Sequence, residues 1–269
     1  MRLATWNVNS IRTRVERVTD WLARADVDVL AMQETKCTDA QFPALAFEAL
    51  GYEIAHVGYN QWNGVAIASR VGLDEVSIGF DGQPGFGKDG AAPEAEARAL
   101  GATCNGVRVW SLYVPNGRSL DDPHLEYKLE WLAALRDTAS GWLAQDPEQP
   151  IALVGDWNIV PRDDDVWDIS AFVGKTHVSP PERAAFEAFN DAGFADVVRP
   201  FTPGPGVYTY WDYTQLAFQK RRGMRIDFIL GSPALASRVA AAEIVKDERR
   251  PRKGTTAPSD HAPVVVDLE

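Results

Sequence analysis

Short apolar runs that end in a polar, chemically capable residue recur along this chain, and that repetition constrains its fold more than any other feature. Residues 2–8 run into Asn7 and Asn9, 28–32 into Gln33 and Glu34, and 151–154 into Gly155, Asp156 and Asn158. Residues 65–69, 97–104, 107–114, 225–230 and 262–268 are further runs of this kind. The pair 97–104 and 107–114 is joined at Asn105-Gly106, a two-residue turn of the type that closes hairpins. The runs are rich in Val, Ile and Leu on both faces, as strands buried between layers are. Helical periodicity separates them. Ile11, Val15, Val18, Leu22 and Ala25 place a helix over 11–25 with Ser10 as its N-cap, and a weaker pattern covers 39–50. Leu125, Leu129, Leu132 and Leu135 mark a helix over 124–143, and another over 181–192 stops at Gly193. Strands alternating with helices give an α/β protein. The stretches 79–93 and 247–258 read as surface loops. With no linker and no repeat, 1–269 is expected to form one domain.

Acidic and amide residues therefore sit at strand ends throughout: Asn7, Glu34, Asp156 with Asn158, Asp227, and Asp260 with His261. Strands lying side by side bring their ends to one edge, and carboxylates gathered there repel one another unless a cation neutralises them. Oxygen donors suit Mg²⁺ or Mn²⁺; zinc would call for Cys or several His, and the chain has 4 His and 2 Cys. One acid at a strand end is ordinarily a cap or turn residue, but this many, each behind an apolar run, leave a metal site and that ordinary reading evenly matched from the residues alone. His261 precedes the last run, with Asp227 the natural carboxylate to orient it. Asp156 and Asn158 are two apart and point to one side of an extended segment, so that one can activate a water while the other holds an oxygen. His124 and Lys128, a helical turn apart, read as surface residues. Asp163-Asp164-Asp165 reads as a solvated loop, and Cys37 and Cys104 as small packing residues.

Six segments carry a resemblance: Trp6-Asn7-Val8-Asn9, Met32-Gln33-Glu34-Thr35-Lys36, Leu112-Tyr113-Val114-Pro115-Asn116, Gly155-Asp156-Trp157-Asn158, Arg225-Ile226-Asp227-Phe228 and Ser259-Asp260-His261-Ala262-Pro263, in that order. The chain resembles bacterial exonuclease III, the class II AP endonuclease family of the endonuclease/exonuclease/phosphatase superfamily, in wording closest to actinobacterial members. The resemblance runs from residue 2 to the C-terminus. It implies a DNase I-like fold, a four-layer αββα sandwich of two mixed β-sheets. It implies Mg²⁺-dependent hydrolysis of the phosphodiester 5′ to an abasic site in duplex DNA, with 3′→5′ exonuclease and 3′-end phosphodiesterase or phosphatase activity. Glu34, Asn7, Asp260 and His261 then fall at or beside the metal with Asp156 and Asn158. Asp156 matches the aspartate that activates the attacking water, and Asn158 the asparagine that binds the scissile phosphate or orients that water. Tyr113 matches a tyrosine whose phenol reaches the phosphate, and Asp227 the acid paired to the histidine. One metal is favoured, two remain open, and so does the final acceptor of the water's proton. Tyr210, Trp211 and Met224 fall where members build the sugar pocket, and Met224 departs from members with an aromatic there.

The 38 acids against 27 bases, a net charge of −11, argue on their own against a polyanionic partner. The bases nevertheless flank the motifs. Arg12 and Arg14 follow Asn9, Arg118 follows Asn116, Lys220 to Arg222 and Arg225 precede Asp227, and Arg249, Arg250, Arg252 and Lys253 precede Asp260; Trp62 and Asn63 occupy a turn. The expectation is a basic rim facing DNA on an acidic body, with duplex DNA bearing abasic sites or recessed 3′ ends as partner and Arg12, Asn116, Arg118 and Arg225 among the contacts. No apolar run reaches the roughly eighteen residues of a membrane span, MRLATWNVNS carries no secretory signal, and two cysteines make no disulfide framework. A monomer in the bacterial cytoplasm, on the nucleoid during repair, is expected. Two other readings compete. A lipid or inositol phosphoesterase would share the acid, DxN and SDH framework but not the YVPN, YTYWDY and GMRID segments or the basic runs. A binding protein that has lost catalysis would lack part of the acid and histidine set, which here is whole.

Overall fold

The structure is a computed structural model that describes residues 1–88 and 91–269. In chain order the described residues form β1 (Arg2–Asn7), α1 (Ile11–Ala25), β2 (Val29–Gln33), α2 (Ala44–Glu48), β3 (Glu53–Val57), β4 (Val65–Ser69), β5 (Asp74–Ile78), β6 (Ala99–Cys104), β7 (Val107–Tyr113), α3 (Pro123–Gln145), β8 (Ile151–Asp156), α4 (Pro180–Asp191), β9 (Ala195–Asp196), β10 (Asp227–Gly231), α5 (Pro233–Ala236), β11 (Val239–Ile244) and β12 (Val264–Leu268). They build two six-stranded sheets, ordered β11-β12-β1-β2-β4-β3 and β5-β6-β7-β8-β10-β9. Each is mixed: β1 runs parallel to β2 and β7 to β8, and the other pairs are antiparallel. This is the αββα sandwich that the resemblance implies.

Alternation along the strands explains the layers. Leu3, Val29, Ile67, Leu100, Val109, Val154, Ile229 and Val266 meet between the sheets. The opposite face of the first sheet packs Ala4, Trp6, Leu30 and Met32 against Val18, Trp21 and Leu22 of α1. The opposite face of the second packs Trp110, Leu153 and Phe228 against Trp131 and Leu135 of α3 and Phe186 and Phe189 of α4. Both faces are covered, so the strand sequences read as nearly unbroken apolar runs. Near the site the layer between the sheets turns polar: Thr5 donates to Gln33 at 3.2 Å, Gln33 to Ser111 at 3.0 Å and Ser111 to the Met32 carbonyl at 2.9 Å, all buried. No helix among the described residues is long and apolar enough to cross a membrane.

The differences from expectation have local causes. β3, β5, β9 and β11 escape the sequence because they are short or exposed and lack an apolar run. Pro43 splits the pattern over 39–50 into a 3-10 turn at Asp39–Gln41 and the short α2. Ser10 makes no side-chain cap to α1. Its backbone N–H donates to the Glu34 carbonyl at 2.7 Å and that of Ile11 to the Thr35 carbonyl at 3.1 Å, so the loop after β2 caps this helix. His124 and Lys128 are buried, not surface residues, because their side of α3 faces the loops that leave β7 and β8. Asp165 is buried as well, gripped by Arg199 through two bonds of 2.6 and 2.7 Å, so the three-aspartate stretch is not a solvated loop throughout.

Candidate active site

Strand register alone brings the polar ends together. Tyr113 is level with Asp156 across the parallel pair β7–β8, and Asp156 is level with Asp227 across β8–β10. In the facing sheet Asn7 ends β1 level with Gln33, and Glu34 follows at once; His261 precedes β12, which pairs with β1. Gly155 makes the close approach possible. Its φ is +147°, and a Cβ there would sit 1.9 Å from the Leu112 carbonyl oxygen, so only glycine lets β8 carry Asp156 against β7.

Asn7 lies at the centre of the cluster. Its amide nitrogen donates to Glu34 at 2.8 Å and to Asp156 at 2.9 Å, while its amide oxygen accepts the Asn9 N–H at 3.0 Å. The Asn158 N–H donates to the other oxygen of Asp156 at 3.0 Å. His261 faces Asp227 through Nδ1 at 2.8 and 3.0 Å, and its Nε2 lies 3.8 Å from Asp156. Oxygen or nitrogen atoms of Glu34, Asp156 and His261 all lie within 4.8 Å of one another. Asp260 stands outside that group, bonded to Asn9 at 3.0 Å. The phenol of Tyr113 hydrogen-bonds Glu34, and the Arg98 guanidinium covers the Tyr113 ring at 4.8 Å.

The electrostatics follow from this crowding. Burial pushes the Asp156 carboxyl up, and Asp227 and Glu34 add to it; His261 opposes them, and the carboxyl settles at about 7. Burial pulls the His261 imidazole down, but Asp227, Asp156 and Asp260 outweigh it and hold the ring charged up to about 10. Burial also raises Glu34, yet Lys36, at 2.7 Å, and Asn7 carry its carboxyl below the usual range. The carboxylates of Glu34, partly buried, and Asp156, buried, converge as hard donors, which fits a divalent cation of the Mg²⁺ or Mn²⁺ class. Asn7 and Asn158 are placed as supports of that set. The Asn7 oxygen is taken by Asn9, and Asn158 accepts from Asn116 at 3.1 Å and donates to the Val114 carbonyl at 3.0 Å.

Two cavities flank Tyr113 and Asn116. One of about 510 Å³ is lined by Asn116, Arg118, Trp167, Tyr210, Arg222 and Met224. The other, about 630 Å³, is lined by Tyr59, Trp62, Asn63, Arg98, Tyr113 and Arg118. Tyr210, in the wall of the first cavity, also packs on the His261 ring, 4.9 Å between centroids. Trp211 is not part of its wall. It is buried against Phe218, 5.2 Å between centroids. Arg225 is likewise misplaced as a surface contact: its side chain is fully buried, paired with Asp196 at 2.9 Å and laid over Phe228. Of the terminal basic run, Arg249 is buried and holds the Trp211 carbonyl at 2.9 Å. Arg12 and Arg118 are exposed. Sequence reasoning missed Lys36, Asn9 and Arg98. Lys36 lay in a quoted motif without a role, and nothing local marks Arg98, whose partner Tyr113 is reached only through the β6–β7 register.

Known proteins are similar to this chain in sequence and fold. Residues 4–261 match the model of the endonuclease/exonuclease/phosphatase family. The chain is 30% identical to exodeoxyribonuclease III of Haemophilus influenzae over 284 residues, all of both chains. Among solved structures it is similar to the Neisseria 3′ phosphatase NExo bound to a product DNA hairpin, with a TM-score of 0.91, 35% identity and coverage of 100% and 99% of the two chains. It is also similar to an AP endonuclease from Archaeoglobus fulgidus, with a TM-score of 0.90, 33% identity and the same coverage.

Proposed function

The chain belongs to the endonuclease/exonuclease/phosphatase family, and we propose that within it this protein is a metal-dependent DNA-repair nuclease that hydrolyses the phosphodiester 5′ to an abasic site in duplex DNA. It also trims 3′ ends as a 3′→5′ exonuclease and 3′-phosphodiesterase or phosphatase. The observation that carries this reading is geometric: ligand atoms of Glu34, Asp156 and His261 converge within 4.8 Å of one another at the ends of the central strands. The two carboxylates of that group fit one divalent cation, Mg²⁺ in the first instance, held by Glu34 and Asp156. When bound, the cation supplies Lewis acidity and offsets charge on the phosphate.

The remaining work falls to side chains. Asp156, held by the Asn7 amide and the Asn158 N–H, is placed to take a proton from the attacking water. The Asp227 carboxylate keeps His261 charged, so that Nε2 donates to the phosphoryl oxygen as negative charge builds there. This role uses the protonated ring and assigns His261 to the phosphate, not the metal. Tyr113 and Asn116, between the two cavities, supply further donors. Tyr210 and Met224 form the wall against which a sugar without a base is held, and Arg12 and Arg118 meet backbone phosphates. The enzyme works as one domain, as a monomer, in the bacterial cytoplasm.

The test uses a duplex with one abasic analogue, labelled at its 5′ end, with Mg²⁺ and with EDTA, beside an undamaged recessed 3′ end. Mg²⁺-dependent incision 5′ to the lesion is expected, with a ladder on the control. A folded protein that cleaves neither would overturn the reading.

A further inference from the structure

Beneath the site lies a buried ion pair that the chemistry above does not use. Lys128 of α3 and Glu182 of α4 are both wholly inaccessible, 2.6 Å apart. The ammonium has three N–H groups and meets three acceptors. One is Glu182, the second is the Asn158 carbonyl at 2.6 Å, and the third is the Asn116 carbonyl at 3.3 Å. Those two asparagines are the residues whose side chains bond each other at 3.1 Å beside Asp156. Asn158 has φ +51°, a left-handed conformation that turns its carbonyl toward the helices. Glu182 in turn gathers the loop before α4. It accepts from Thr176 Oγ1 at 2.8 Å, from the His177 N–H at 2.9 Å, and from the hydroxyl and N–H of Ser179 at 2.6 and 3.3 Å. His177 Nδ1 returns to the Asn158 carbonyl at 2.5 Å, and Thr176 to the Asn116 carbonyl at 3.3 Å.

Three loops are therefore tied to one point: the exit of β7, the exit of β8 and the loop before α4, which also lines the 510 Å³ cavity. A buried pair of this kind gives little net stability, because removing two charges from water costs about what their attraction returns. It does fix geometry, since a tetrahedral ammonium holds its acceptors in set directions. We infer that Lys128 and Glu182 are positioning residues, clamping the Asn116–Asn158 amide pair and the N–H that Asn158 gives to Asp156 in the arrangement the phosphate requires. The inference rests on the nuclease reading for its kinetic consequence, though not for the geometry.

The test is the double variant Lys128→Met/Glu182→Gln, which removes both charges and leaves the amide of residue 182 able to accept from Thr176 and His177. On an abasic duplex with Mg²⁺, kcat should fall between tenfold and a hundredfold while KM stays within about threefold, because the clamp acts on alignment and not on binding. The side-chain NH₂ signals of Asn116 and Asn158, whose hydrogen bonds should make them slow to exchange in the wild type, should exchange at least tenfold faster. That second readout needs no turnover. Wild-type protein that is inactive but keeps slow amides would defeat the nuclease reading alone. A folded double variant with wild-type kcat and slow amides would overturn the clamp. Should the double variant not fold, Lys128→Arg decides. It keeps the charge and replaces the tetrahedral ammonium with a longer planar fork, so the three acceptors cannot all keep their directions. Faster amide exchange and a several-fold lower kcat are expected, and unchanged values of both would refute the inference.

Discussion

Replacing Asp227 with Asn keeps the shape of the side chain and removes the charge that faces His261 at 2.8 and 3.0 Å. Burial works to keep that imidazole neutral; Asp227 is foremost among the groups that overcome it and hold the pKa at about 10. Against the ordinary value of about 6.5, the rise is on the order of 5 kcal/mol in favour of the imidazolium. Without the Asp227 charge, burial is opposed only by Asp156 and Asp260, and the pKa of the ring falls. At pH 7.5 the charged fraction then drops from nearly all in the wild type to a smaller share. Incision of the abasic duplex at saturating Mg²⁺ should slow at least tenfold at that pH. The ratio of variant to wild-type rate should climb as the pH is lowered toward 5.5 and the ring regains its proton. Stability follows the same sign. A folded pKa above the unfolded one stabilises in full below about pH 6.5, and the benefit is lost as pH rises through about 10. Asp227→Asn should therefore lower Tm most near pH 6 and least above pH 10. A rate ratio and a Tm difference that stay flat across the whole range would refute the reasoning.

Other outcomes follow from the same geometry. Mg²⁺ at about a hundred times its Kd should stabilise the wild type by roughly 2.7 kcal/mol and EDTA should reverse it; Glu34→Gln should flatten that response in a thermal melt, and an undiminished shift would remove Glu34 from the cation site. Arg225→Met should cost about 3–5 kcal/mol in denaturant unfolding, since it breaks a buried pair, and leave DNA affinity unchanged. Arg118→Ala should do the reverse, with Tm nearly constant and the salt slope of DNA binding lowered by about one; affinity lost in the Arg225 variant at wild-type stability would restore it to the DNA surface. His124 accepts the Gly117 N–H on Nδ1, and burial holds its pKa down to about 4. Its neutrality is stabilising above about pH 6.5, and that benefit, on the order of 3 kcal/mol, drains away as pH falls toward 4. His124→Gln should flatten this part of the acid limb of the stability curve, and an identical limb would show that His124 does not contribute.

The sequence made the central strands and the catalytic acids legible for one reason: both sit where an apolar run stops. Asn7, Glu34, Asp156, Asp227 and His261 are each at or next to a strand end, so locating the strands located the site. Exposed or short strands such as β5 and β9 carry no such run and stayed hidden. Burial of charge was the least legible property. Arg225, Arg249, Lys128, Glu182 and Asp165 look like surface charges in the sequence, and each is buried because a partner far along the chain neutralises it or caps it. A basic run is a pattern in one dimension, whereas its accessibility is decided by what folds over it. The DNA-facing rim accordingly rests on fewer bases than the composition offers, and the structure spends several of the others inside.

The placement of β12 has a temporal consequence. This strand lies between β1 and β11 in the first sheet, and His261 stands three residues before its start. Every strand of the second sheet has been made by residue 231, together with Asp156 and Asp227. A nascent chain at that stage therefore holds most of its acids but has an open edge at β1 and no imidazolium. Competence to cut arrives only when one of the last strands out of the ribosome slides into the middle of a sheet. A nuclease built in this order stays harmless to the nucleic acids around it until its folding is nearly finished.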